Sequence, residues 1–77
     1  MAEVQEGVIK VLELVGVSGQ SWSDAARKAV EEASKTIRGI NGIEVVSSSA
    51  KVADGAITEY RVNLKLAFPV ERGGSPG

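Results

Sequence analysis

The sequence predicts an α+β fold of order β-α-β-β, in which a three-stranded antiparallel sheet of order 2-3-1 carries one helix on a single face. Three observations lead there. Three runs are rich in β-branched residues or alternate apolar with polar side chains, one run repeats small and apolar residues at spacings of three and four, and an Asp-Gly pair joins the last two runs. A crossover through the helix makes the first and second strands parallel, and the hairpin makes the third antiparallel to the second, so the third fits between them. One helix covers one face of such a sheet. The other face is expected to seek a partner.

The first strand is read from Val8 to Val15, VIKVLELV, closed by Gly16. Both of its faces are largely apolar, as in a strand covered on both sides. Val17 to Gln20 is expected as a loop. Ser21 is an N-cap whose hydroxyl can accept from the amide of Asp24 while the Asp24 carboxylate reaches back, a capping box with Asp in place of Glu. The helix is expected from Trp22 to Arg38, with Trp22, Ala25, Ala26, Ala29, Val30, Ala33 and Ile37 on one face. Its alanine stripe is shallow and lets the helix lie close to the sheet. Asp24 with Lys28 and Glu31 with Lys35 are spaced for ion pairs on the polar side. Gly39 is expected as a left-handed C-cap and Asn41-Gly42 as a tight reversal.

The second strand is read from Ile43 to Val52, with a bulge suggested where alternation falters at Ser47-Ser48-Ser49. Asp54-Gly55 signals a hairpin. The third strand, Ile57 to Val70, puts Tyr60, Val62, Leu64, Leu66 and Phe68 on one face and Glu59, Arg61, Asn63, Lys65 and Ala67 on the other. The domain is thus expected over 8–70, with flexible tails at 1–7 and 71–77, both poor in apolar residues.

At 77 residues the chain is one small domain, of a size whose single core rarely supplies more than about 3–5 kcal/mol. It has no Cys and no His, so disulfides, thiolate metal sites and histidine bases are excluded, and oligomerisation is the remaining common support. A net charge of −1 provides no field for nucleic acid or anionic lipid, and no apolar run reaches the roughly 18–20 residues needed to span a bilayer. A soluble, cytoplasmic protein is expected, without nucleic-acid or membrane partners.

Catalytic signals are weak. Nucleophilic chemistry would have to rest on Ser with a Lys or carboxylate base, and no such pair is recognisable by spacing. Gly16-Val17-Ser18-Gly19 lacks the Gly-Lys-Ser/Thr ending of a phosphate loop and reads as a turn. Trp22 could stack on a ligand but is better read as packing residue of the first helical turn. The ladder Glu59, Arg61, Asn63 and Lys65 is either a solvent face or, in an oligomer, the lining of a pocket in which Arg61 and Asn63 could hydrogen-bond a planar polar ligand or an anion. Glu13, Glu44 and Glu59, on three separate strands, could gather around a symmetry axis and hold a hard cation such as Ca²⁺.

The succession of a first strand, Gly16-Val17-Ser18, the capped opening Ser21-Trp22-Ser23, Lys35-Thr36-Ile37-Arg38, Ile43-Glu44-Val45-Val46, Glu59-Tyr60-Arg61-Val62 and Ala67-Phe68 resembles the dodecins over about Val8 to Glu71. The resemblance implies a hollow twelve-subunit shell that binds riboflavin, FMN or FAD between subunits and serves storage rather than catalysis. It places the ligand site at Gly42, Ile43, Glu44, Arg61 and Asn63. Two of these depart from the flavin-binding pattern. Gly42 stands where a stacking tryptophan is usual, and Arg61 where a glutamine meets the pyrimidine edge of the flavin. Arg has donors only and cannot accept from the ring N–H. A missing tryptophan combined with Tyr60-Arg61 is similar to the calcium-dodecin branch, although Ser47 stands where some members have a carboxylate.

The expected function is therefore a non-enzymatic, dodecin-like homododecamer that stores a small ligand at a degenerate flavin site. The alternatives are a calcium-binding shell of the same type with little flavin binding, and a small βαββ module that offers its sheet to another protein.

Overall fold

The computed structural model describes residues 7–70, so the expected tails lie outside the described residues apart from Gly7. The order is β1 (Ile9–Ser18), α1 (Trp22–Ala33), β2 (Gly42–Ala53) and β3 (Ala56–Pro69). The sheet is antiparallel with β3 between β1 and β2, as the sequence predicts.

The strands' other ends fall within one residue of expectation, and the larger differences have local reasons. β1 runs three residues past Val15, through Gly16 to Ser18, so the expected loop begins later and the glycine does not close the strand. Its role is steric. A Cβ at Gly16 would lie 2.1 Å from the carbonyl oxygen of Ala25 and 3.2 Å from Ala29 Cβ, and the glycine is where the helix crosses the strand. The helix ends at Ala33 rather than Arg38. Beyond it the amides of Lys35 and Thr36 donate to the carbonyls of Glu32 and Ala33, three residues back, and the chain tightens out of α-geometry. Gly39 does adopt φ +76°, but as the bend between the helical turns and β2 rather than as the helix cap. The Asn41 amide already donates to Ala67 O at 3.0 Å, so Asn41-Gly42 enters the sheet and makes no reversal.

The hairpin holds as predicted. Asp54 and Gly55 both have positive φ, 54° and 77°, the pair of left-handed residues that a two-residue turn between twisted strands requires. A bulge also occurs, at Val46, one residue before the serines, and the register slips again at Thr58 on β3.

The core is thin. Ala25, Ala29 and Ala33 pack on Val62, Leu64 and Leu66, flanked by Leu14, Ala26, Val30, Ile37 and Ile40. The helix lies over β1 and β3 and leaves the first half of β2 bare, so Ile43 and Val45 stay about half exposed on the helix side. Ile9, Val11, Val15 and Val17 are exposed on the opposite face. The molecule extends 58 × 29 × 16 Å with a radius of gyration of 16.0 Å, against about 11 Å for a compact domain of this length. Among the described residues, no helix is long and apolar enough to cross a membrane.

Candidate functional site

Strand pairing arranges the open face of the sheet in rows. Gly42, Ala67 and Val11 form one row, Glu44, Lys65 and Glu13 the next, then Ser47, Asn63 and Val15, then Ser49, Arg61 and Val17, and finally Lys51 with Glu59. Each row lies about 6–7 Å from the next, two residues along a strand.

These rows divide the expected ligand residues into two groups. Gly42 and Glu44 border a depression of about 380 Å³ with Val11, Lys65 and Ala67. The backbone of Ile43 joins its rim, but Ile43 pairs with Leu66 and its side chain alternates to the helix side. Arg61 and Asn63 lie farther along. From Ala67, opposite Gly42, to Arg61 is six residues of β3, about 20 Å. Within one chain, Gly42 and Arg61 cannot touch the same small ligand.

Arg61 is already held. Its Nε donates to Glu59 Oε2 at 2.6 Å, which draws the Glu59 carboxyl below its ordinary range, with desolvation opposing and the charges of Arg61 and Lys51 assisting. The remaining guanidinium N–H groups can serve as donors. Asn63 is flanked by Val15 and Ser47, and its Oδ1 is buried without a hydrogen-bond donor among the described residues.

The three carboxylates considered for a cation also separate. Glu13 and Glu44 flank Lys65 in one row, whereas Glu59 lies six residues from Lys65 along β3 and is taken by Arg61. Among the described residues no three metal-ligating side chains gather within one chain. The alignment of Glu44 with Lys65 was open to sequence reasoning, because counting outward from the Asp54-Gly55 turn places the two opposite each other.

Trp22 takes the packing role. Its Nε1 donates to Ser49 O at 2.9 Å and its ring meets Tyr60 edge-on at 4.8 Å, with the planes 82° apart. It ties the helix start to β2 on the helix side of the sheet, away from Gly42. Ser21 caps the helix, accepting from Asp24 N at 3.0 Å, but the Asp24 carboxylate does not reach back to Ser21. It accepts from the Ser18 hydroxyl at 2.6 Å and pairs with Arg27 and Lys28. The Ser18 hydrogen bond is the main reason its carboxyl lies below its ordinary value, with both cations contributing. Lys28 meets Asp24 as expected, whereas Lys35, lying past the helix end, pairs with Glu32 and leaves Glu31 to Arg27.

Comparison with known proteins agrees with this architecture. The dodecin family model matches residues 8–71. A dodecin from Thermus thermophilus is 33% identical over 64 residues, 83% of this chain and 93% of that protein. The calcium dodecin of Mycobacterium tuberculosis is 31% identical over 61 residues, 79% of this chain and 86% of that protein. The structure of dodecin from Streptomyces coelicolor superposes with a TM-score of 0.85 at 33% identity, covering 91% of this chain and all of that one. With the β-α-β-β order, the central third strand and the helix crossing at Gly16, these matches show that the chain belongs to the dodecin family.

Proposed function

We propose that this dodecin works as a non-enzymatic homododecameric shell that stores a small ligand between copies, at a flavin-type site weakened by the loss of its stacking ring. The separation of Gly42 from Arg61 carries this reading. Two parts of one binding surface that lie about 20 Å apart on a strand come together only when a second copy completes the site. Exposed apolar side chains on both faces of the sheet and the extended shape support assembly. At such a site the Arg61 donors would face ligand carbonyl oxygens, and Gly42 would leave open the space that a ring otherwise fills.

Calcium is the second reading. It is favoured by the name of the Mycobacterium tuberculosis relative and by the row Glu13, Lys65 and Glu44, in which neither carboxylate closes an ion pair with the lysine between them. Copies related by a symmetry axis could bring such rows together around a hard cation.

Native mass spectrometry of the freshly purified protein tests assembly and cargo together. A twelve-subunit mass is expected, with excess mass reporting retained ligand. A monomer or dimer at micromolar concentration overturns the shell and favours the sheet-exposing interaction module. Quenching of riboflavin fluorescence on titration supports flavin as cargo. A melting temperature lowered by EDTA and restored by Ca²⁺ supports calcium, since a ligand bound only to the folded assembly stabilises it by RT ln(1 + [L]/Kd).

A further inference from the structure

We propose that the β2–β3 arm of one copy seats in the trough between β1 and the helix of the next, a head-to-tail contact in which every copy gives an arm and receives one. This rests on the self-assembly proposed above and names the surfaces that make it. β1 ends at Ser18, opposite Tyr60. Past that row Lys51–Ala53 and Ala56–Glu59 continue as a two-stranded ribbon with no third strand beside it. Such a ribbon is marginal alone in water. Its helix-side face nevertheless carries a directly opposed apolar pair, Val52 and Ile57, 65% and 44% exposed.

The opposite end of the molecule holds the complementary shape. A groove of about 470 Å³ runs between β1 and the helix, lined by Leu12, Leu14, Ala33 and Ile37. Through Thr36 and Ile37 it continues into a depression of about 370 Å³ that holds Lys10 and Arg38. Among the described residues neither cation has an ion-pair partner and no carboxylate lines that depression. The arm carries the matching charge. Asp54 at its tip is likewise without a partner among the described residues, while Glu59, at the base of the arm opposite Lys51, is paired with Arg61. On the receiving side Leu12 and Lys10 share one face of β1 about 7 Å apart, and on the arm Asp54 follows Val52 by two residues, in the turn. Arm and trough are different surfaces at opposite ends of a 58 Å molecule, so the contact is heterologous and closes into a ring when the rotation between copies allows it.

The chain has no cysteine, so engineered thiols report on this contact without background. Leu12 and Val52 are separated by nine residues of β3, from Leu66 to Ile57, or about 25–30 Å, and cannot join within one chain. In the full-length assembly, Leu12→Cys/Val52→Cys treated with a short bis-maleimide is expected to give a ladder of trimers and larger species on a denaturing gel, and each single variant is not. Asp54→Lys is expected to shift native mass spectra toward smaller species, and Lys10→Glu/Arg38→Glu combined with Asp54→Lys to restore the large one. A high-mass assembly without the ladder, or efficient dimerisation by Val52→Cys alone, overturns the head-to-tail contact while leaving the shell standing. A monomeric wild-type protein overturns both.

Discussion

Replacing Gly16 with alanine tests how the helix and sheet are held together. The added Cβ would lie 2.1 Å from Ala25 O, 2.9 Å from Ala25 C and 3.2 Å from Ala29 Cβ. Two of these three atoms belong to helix backbone and cannot turn aside as a side-chain tip could. Restoring an ordinary carbon–oxygen contact requires the helix to lift by about 1.2 Å. The helix rests there on a core in which Ala25, Leu64 and Leu66 have no exposed surface, and a gap near 1 Å forfeits a quarter to a half of each contact's dispersion energy. The cost falls at the upper end of the overpacking range, about 3 kcal/mol. For a domain of this size that lowers Tm by about 10–25 °C. Circular dichroism melts at matched protein concentration measure it, because the Tm of an assembling protein depends on concentration. Gly19→Ala is the control, since nothing lies within 4 Å of its Cβ position and its φ is not positive. A Gly16→Ala protein whose Tm stays with that control would refute the close crossing of helix and strand.

Three further predictions address charge, ligand and packing. The Asp24 carboxyl is held below its ordinary value of 3.8 mainly by the Ser18 hydroxyl, so the stability it contributes is complete above the unfolded value and is lost as pH falls through the lower folded one; urea midpoints should decline over that acid window, and Asp24→Asn should flatten the decline. At Gly42 an added Cβ lies at an ordinary 3.7 Å from Ala67 Cβ and the backbone is not left-handed, so Gly42→Trp should fold and raise riboflavin affinity roughly ten- to hundredfold in a fluorescence titration, given about 1–3 kcal/mol per stacked ring; unchanged affinity would show that the site differs by more than the missing ring. Trp22→Phe removes the donor to Ser49 O while keeping an aromatic ring against Tyr60, and should cost about 0.5–1.5 kcal/mol in urea unfolding.

The fold was legible wherever local chemistry and periodicity agree. The Asp54-Gly55 turn, the Ser21 cap and the alternation of β3 each have a short-range cause, and together they dictate the topology. Gly16 shows where such reading stops. Locally a glycine after a valine-rich run reads as punctuation, and only the position of Ala25 across the interface reveals why no side chain fits there. The helix end was overrun for a similar reason, because Ile37 continues the apolar spacing and packs against the core without being helical. For the candidate site, the residue types were legible and their distances were not. Gly42 and Arg61 look like one site in a list of family positions, yet strand rise alone keeps them apart, and the hairpin count that would have revealed it was available from the sequence. The isolation of the Asn63 carbonyl depends on side-chain burial, which no periodicity encodes.

The two irregularities in the hairpin, Val46 on β2 and Thr58 on β3, act like a character inserted into each of two parallel lines of text. Between them, Ser47–Lys51 and Glu59–Asn63 keep their own phase, and outside them the original phase returns, so the turn needs only two residues. Each insertion also bends and twists its strand. The tilt of the hairpin tip against the rest of the sheet is therefore set by two residues outside the candidate site. If copies of this chain close on one another, that tilt is a term in the angle between neighbours. Deleting Val46 and Thr58 together would preserve which side chains face which way and straighten the wall, and the number of copies that close, weighed by native mass spectrometry, would measure how much curvature those two residues supply.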